Sequence, residues 1–238
     1  MKATPDVVLS DVFANPSAKV SPGSTPVASV RRAVPVPMGK GEGTFVTFDG
    51  LEDSKEHIAI VFKTPSQDQS PASSLEQAGE AGQDVATPLV RIHSECLTGD
   101  VFSSGKCDCG EQLNEAIELM NARGGILLYL RQEGRGIGLY NKLDAYHYQR
   151  QGFDTYEANR MVGYGDDLRD YTVAAQMLKA LGVTSVQLLS NNPDKCEKLR
   201  ALGIEVREQM STGVFVKESN RAYLAAKVNK TGHRIALE

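Results

Sequence analysis

From Pro88 onward the apolar positions switch between two periods. PLVRI at 88–92, GILLYL at 125–130 and VTSVQLLS at 183–190 are short apolar runs set between turn residues and charges, and they predict buried strands. Leu113, Ala116, Ile117 and Met120 recur at helical spacing and predict a helix ending near Gly124 and Gly125. Residues 139–150 read as a helix with Tyr140, Leu143 and His147 along one side. Tyr171 to Leu181 is amphipathic and stops at Gly182. A last helix starts with Asn192 as its cap and Pro193 at its first position, ends at Gly203, and precedes a short strand, IEV. Upstream, Phe45 to Phe48 and His57 to Lys63 predict strands joined through Gly50. Strands alternating with helices argue for an α/β domain with a largely internal sheet.

Two segments break this pattern. Residues 1–30 are rich in Pro, Ser, Ala and Val without a periodic apolar face, and predict a tail, with order starting near Ala33. Residues 64–87 carry four acids, two prolines and no bases, and predict a solvated insertion. The chain has 238 residues, 41% of them hydrophobic, enough for one sizeable domain or two small ones. A net charge of −4 gives no general attraction to nucleic acid or anionic membrane. No apolar run approaches the roughly 20 residues that cross a bilayer. Four cysteines without a secretory pattern point to a reducing, cytoplasmic setting.

Three of those cysteines, Cys96, Cys107 and Cys109, carry the first chemical signal. Thiolates two residues apart can face one ion from a tight turn, with the third supplied by a neighbouring strand end. Zinc held by three thiolates keeps a fourth position for a water, which loses a proton near neutral pH. Two alternatives stay open: disulfides, and a closed structural zinc with His93 as fourth ligand. Cys196 lies on an apolar helical stripe with Leu199 and Leu202 and reads as a packed core thiol.

Three further clusters are rich in charge. RQEGRGIGLYNK, 131–142, follows a strand directly. Its glycines let backbone approach a ligand, and Arg131, Arg135 and Lys142 make a phosphate cradle plausible against an ordinary strand-to-helix turn. In GYGDDLRD, 163–170, the acids suit a helix N-terminus, and Arg169 is either an ion-pair partner or a base held for a phosphoryl group. SNNPDK, 190–195, offers Ser190, helix-start amides and Lys195 as a second anion site.

Taken in order, RIHSECLTGD, KCDCGEQL, LRQEGRGIGLYNKLDAY, DTYEAN, DDLRDYT, SNNPDK and NRAYLAAKVNKTGH resemble the GTP cyclohydrolase II family over roughly residues 88–233. The resemblance implies a single catalytic domain over 31–238, with a mixed central sheet flanked by helices. It implies one zinc per subunit on Cys96, Cys107, Cys109 and a water that attacks carbon 8 of guanine, opens the imidazole ring and releases formate. Arg91, Ile92, His93, Ser94, Glu95 and Gln112 would contact GTP, together with Glu133, Gly134, Arg135, Thr155, Ser190 and Lys195. Arg169 would be the nucleophile on the α-phosphorus, or a clamp on the leaving pyrophosphate, with Asp167 as its proton acceptor. Tyr146 would sit near the opening ring. Magnesium on the phosphates and a homodimer are also implied. Ser190 stands where threonine is common, which keeps the hydroxyl. Other outcomes are a family member that stops at the formylated ring-opened product, and a zinc-stabilised nucleotide-binding module without turnover.

Overall fold

The apolar runs pair into one seven-stranded sheet. The computed structural model describes residues 27–39, 41–63, 87–165, 168–221, 224, 225 and 228. The tail expectation on 1–26 and nearly all of the 64–87 insertion lie outside these residues. In chain order the strands are β1 (Ser29–Met38), β2 (Gly41–Asp49), β3 (Ile58–Phe62), β4 (Leu89–Ser94), β5 (Gly125–Leu130), β6 (Ser185–Leu189) and β7 (Glu205–Met210). Across the sheet they run β1-β2-β3-β5-β4-β6-β7. The half from β1 to β5 pairs antiparallel, and β5, β4, β6 and β7 run parallel. The sheet is therefore mixed, as the family resemblance implies. The helices are α1 (Leu97–Asp100), α2 (Cys109–Arg123), α3 (Leu139–Gln149), α4 (Thr155–Met161), α5 (Thr172–Ala180) and α6 (Pro193–Ala201).

Strand alternation sorts the core into two layers. Val90 and Ile92 of β4, Ile126, Leu128 and Leu130 of β5, and Val186 and Leu188 of β6 pack with Ala174, Met177 and Leu178 of α5 and Leu199 of α6. The opposite parity, Leu89, Leu127 and Leu189, packs with Ala116 and Met120 of α2. Burying one such side chain stabilises by roughly 1.5–3 kcal/mol. Helices on both faces explain why the inner strands read as near-continuous apolar runs.

Two elements depart from the pattern reading. β1 starts at Ser29, before the expected onset of order at Ala33, and it runs through Pro35 and Pro37. Both prolines are tolerated because β1 is an edge strand, where a missing N–H costs no ladder bond on the open side. The short helix α4 has a signal that the apolar pattern did not carry. Asp154 Oδ1 accepts from the Glu157 amide at 2.8 Å, and Glu157 Oε2 accepts from the Asp154 amide at 2.9 Å. That is a reciprocal capping box, readable in DTYE.

The connections decide where a ligand can sit. β4 leads through α2 to β5 on one side of it, and the chain then crosses to β6 on the other side. Connections that diverge from a central strand leave a crevice beyond the carboxyl ends of the parallel strands. The residues at those ends are Glu95 and Cys96, Arg131 and Gln132, and Ser190 to Asn192.

Leu128 has no exposed surface, at the middle of the larger apolar layer. Leu128→Ala should destabilise by about 2–5 kcal/mol. Urea unfolding with an unchanged slope measures it, and a midpoint within error of the parent would contradict this placement of the core.

Candidate metal centre and active site

The inner strand β4 carries the site's first polar residues. By alternation, Arg91 and His93 share the α2 face of β4 with Leu89, and both are buried. Arg91 donates from Nη1 to the Leu189 carbonyl at 3.0 Å and from Nη2 to Gln112 Oε1 at 3.0 Å. Gln112 in turn donates to Asp108 Oδ2 at 2.8 Å. This chain of bonds ties β4 and α2 to the turn between Cys107 and Cys109.

His93 lies opposite Tyr129 in the β4–β5 register and stacks on it at 5.5 Å. Its Nε2 meets Asp100 at 3.0 and 3.1 Å. Asp100 also accepts from the Tyr129 hydroxyl at 2.9 Å and from the Cys96 amide at 3.0 Å. Burial lowers the pKa of His93 more than Asp100 raises it, so the ring is neutral at neutral pH. With the proton on Nε2 facing the carboxylate, Nδ1 is left as an acceptor.

Cys96 leads into α1, and Cys107 and Cys109 lie at the start of α2. The two helices approach so closely that glycine is required at the contact. A Cβ on Gly99 would lie 2.8 Å from Cys107 Sγ and 3.1 Å from Cys96 Sγ, and one on Gly110 would lie 2.4 Å from the Gly99 carbonyl. The three sulfurs lie within 4.8 Å of one another, with Cys96 and Cys107 at 3.6 Å. All four cysteines are free, and the 3.6 Å between the Cys96 and Cys107 sulfurs is far beyond the ~2.05 Å of a disulfide bond.

The donor set fits zinc. A tetrahedral ion with bonds of about 2.3 Å places its sulfurs ~3.8 Å apart. His93 is not part of the cluster: the ligand atoms that lie together are the three sulfurs alone, and neither ring nitrogen of His93 joins them. Among the described residues the ligand set is three thiols, without the fourth side chain that a closed structural site requires.

The sulfurs are electrically unequal. Hydrogen bonds from Cys107 and Cys109, helped by Lys142, hold Cys96 far below the usual thiol range. Cys107 is pushed up to about 11: a hydrogen bond with Cys109 lowers it, but Cys96 and burial raise it more. Cys109 is raised by its bonds to Cys107 and Cys96 and by burial.

The 131–142 segment surrounds this centre. Gly134 and Arg135 both take left-handed backbone, with φ of 62° and 61°. For a non-glycine residue that conformation costs of order 1–3 kcal/mol, and such strain collects at functional sites. Glu133 Oε2 accepts from the Leu97 amide at 2.7 Å, and its Oε1 accepts from Lys142 Nζ at 2.8 Å. Two of the three bases in this segment are thus engaged away from a phosphate cradle. Lys142 turns to Glu133 and the Cys96 sulfur, and Arg131 Nε pairs with Glu95 at 2.8 Å. Burial pushes the Tyr146 hydroxyl up to about 12, against the pull of Lys142, so it stays a phenol and a donor at neutral pH.

One cleft gathers most of the predicted residues. The three cysteines line it with Arg91, His93, Ser94, Glu95, Gln112, Glu133, Gly134, Arg135, Tyr146, Arg169, Ser190 and Lys195. Ile92 is not in its lining: that side chain packs in the opposite layer, and its carbonyl accepts from Lys195 Nζ at 2.9 Å. Ser190 Oγ accepts from the Asn192 amide at 3.1 Å at the start of α6. Thr155 opens α4, and its side chain and the whole of Asp167 lie outside the described residues.

Among the described residues, five buried side-chain polar atoms have no hydrogen-bond partner, and four of them belong to cleft residues: Arg91 Nε, His93 Nδ1, Ser94 Oγ and Gln132 Oε1. Native proteins rarely leave such atoms unpaired, which singles these four residues out within the cleft lining. Gln132 is absent from the sequence-predicted site. Its amide donates to the Asp170 carbonyl, which points Oε1 the other way. Asn191 and Thr212 also line the cleft, locked by three mutual bonds of 2.9–3.0 Å. Their pairing spans 21 positions in the chain, a distance no local motif reveals.

Known proteins match along the same stretch. The sequence profile of GTP cyclohydrolase II matches residues 29–211, from β1 to the end of β7. A GTP cyclohydrolase-2 from Psychromonas ingrahamii is 54% identical over 189 residues, covering 79% of this chain and 86% of its own. One from Vibrio cholerae is 50% identical over 214 residues, covering 89% and 100%. The riboflavin biosynthesis protein RibBA of Bacillus cereus is 47% identical over 211 residues, which is 87% of this chain and 49% of that protein. A profile spanning the whole sheet, and two relatives about half identical across 86% and 100% of their own length, lead to one assignment: the chain is an enzyme of the GTP cyclohydrolase II family.

Proposed function

We propose that the chain opens the imidazole ring of GTP and releases formate and pyrophosphate, giving 2,5-diamino-6-ribosylamino-4(3H)-pyrimidinone 5′-phosphate as the first step of riboflavin biosynthesis. The observation that carries this reading is the meeting, in one cleft, of a three-thiol centre and four unpaired buried polar atoms. Zinc on Cys96, Cys107 and Cys109 would supply a Lewis acid and an activated water near neutral pH.

The chain's own residues supply recognition and proton handling. Guanine offers acceptors at O6 and N7 and a donor at its amino group. In this reading His93 Nδ1 and Gln132 Oε1 accept from the base, while Arg91 Nε and Ser94 Oγ donate to it. Tyr146 donates a proton at the ring being opened. Arg169 acts on the triphosphate, with Asp167 as its proton partner. A guanidinium stays protonated, so clamping the leaving pyrophosphate asks less of Arg169 than nucleophilic attack does. Arg135, Thr155, Ser190 and Lys195 complete the nucleotide contacts, and Glu95, Gln112 and Glu133 brace them. Magnesium enters with the triphosphate. A homodimer belongs to the same reading, and Phe102 and Tyr140, 70% and 81% exposed, offer apolar surface for it. No described helix is long and apolar enough to cross a membrane.

Mass spectrometry of the product with GTP, zinc and magnesium present tests the reaction. The expected product lacks the formyl group, and free formate appears in equal amount. Accumulation of the formylated intermediate would instead mark a family member that stops halfway. Replacing Arg169 by Lys keeps the charge and loses the planar fork, so turnover should fall by about 100-fold or more. A near-parental rate would sink both roles for Arg169. Gly99→Ala forces a methyl carbon against two ligand sulfurs, so zinc retained after dialysis should fall well below the parent. Full retention would show that the α1–α2 contact yields without cost.

A further inference from the structure

One buried cation touches the thiol cluster. Lys142 reaches in from α3, with its side chain 11% exposed. Its ammonium donates to Cys96 Sγ at 3.1 Å, to Thr98 Oγ1 at 3.0 Å and to Glu133 Oε1 at 2.8 Å. Three N–H groups meet three acceptors. A lysine kept for a phosphate would hold its head toward solvent, whereas this one is committed to the sulfur.

The charges explain why a cation belongs there. Three thiolates around a divalent ion leave one excess negative charge, and Glu133 adds a second beside it. Lys142 is the cation that removes one of them. Thiolates also push electron density onto a metal and weaken it as a Lewis acid. A hydrogen bond donated to the sulfur draws part of that density back. Partners of this kind tune metal sites from outside the ligand set.

We infer that Lys142 is a positioning residue of the metal centre, which holds the Cys96 thiolate by an N–H···S bond and balances the charge of the three-sulfur site. This rests on the reading of the three cysteines as zinc ligands. The bond also explains why Lys142 sits in the same motif as the 133–136 turn: Glu133 fixes the ammonium, and the ammonium fixes the sulfur.

Zinc affinity, measured by competition with a chromophoric chelator, tests the inference on the full chain. Lys142→Met should weaken zinc binding by about 10–100-fold, and Lys142→Arg, which retains charge and donors, should recover most of the loss. Lys106→Met is the control. Lys106 lies 5.0 Å over the Tyr146 ring beside the same centre, and deleting its charge should change zinc affinity far less than Lys142→Met does. In the cobalt-substituted protein, the sulfur-to-cobalt charge-transfer band should move to longer wavelength in Lys142→Met, because an unbonded thiolate is easier to oxidise. A purely structural lysine would leave that band in place. If Lys142→Met does not fold, Lys142→Gln carries the same comparison, with an intermediate loss expected. Equal zinc affinity and an unmoved band in a folded variant would overturn the inference while leaving the zinc reading standing. Failure of the parent chain to take up zinc would overturn both.

Discussion

Putting an arginine and a histidine into a strand covered on both faces is the constraint that the rest of the structure answers. An unpaired ion in such a place costs several kcal/mol and an unpaired neutral polar group costs less but still destabilises, so Arg91 and His93 must meet partners that the chain brings from elsewhere. Arg91 takes the Leu189 carbonyl from β6 and Gln112 from α2. His93 takes Asp100 from α1, and Tyr129 of β5 stacks on its ring. Each partner comes from a different element around β4. Satisfying two polar side chains thereby fixes how α1, α2, β5 and β6 sit around the cleft. The partners do not satisfy every polar atom: the donor Arg91 Nε and the acceptor His93 Nδ1 stay unpaired, and both residues line the cleft.

The candidate metal centre is built by the same economy of shared groups. Asp100 accepts from His93, Tyr129 and the Cys96 amide, so one carboxylate sets the His93 imidazole and the backbone at the first cysteine of the cluster together. Asp108, between two cysteines, accepts from Gln112 and so links the thiol turn to Arg91. Glu133 links the strained 133–136 turn to α1 and to Lys142. Small displacements in any of these groups are felt at the sulfurs, since α1 and α2 meet at Gly99 and Gly110 with no room to slide.

Most elements were legible because their signals are local. Apolar runs bounded by turn residues located β4, β5 and β6, and Asn192 with Pro193 located the start of α6, where Asn192 Oδ1 accepts from the Asp194 amide at 3.0 Å. β1 was the harder case, since its prolines argue against a strand unless its place at the sheet edge is known. Within the cleft, residue type alone assigned Lys142 and Arg131 to phosphate, but their heads are turned to a thiolate and a carboxylate. Gln132 went unnoticed because an amide in a glycine-rich turn carries no signal of direction.

The sequence by itself determined the alternation of strands and helices, the three sulfur donors and the family motifs, because spacing and residue chemistry are properties of the chain. Only the tertiary structure decided which polar atoms face the cleft and which are consumed as braces. Hydrogen-bond partners such as Arg91 with Leu189, Lys195 with Ile92 and Asn191 with Thr212 lie 98, 103 and 21 positions apart. Pairings at that separation exist only once the sheet has closed around β4, since the direction of a buried side chain is set by the acceptors that surround it.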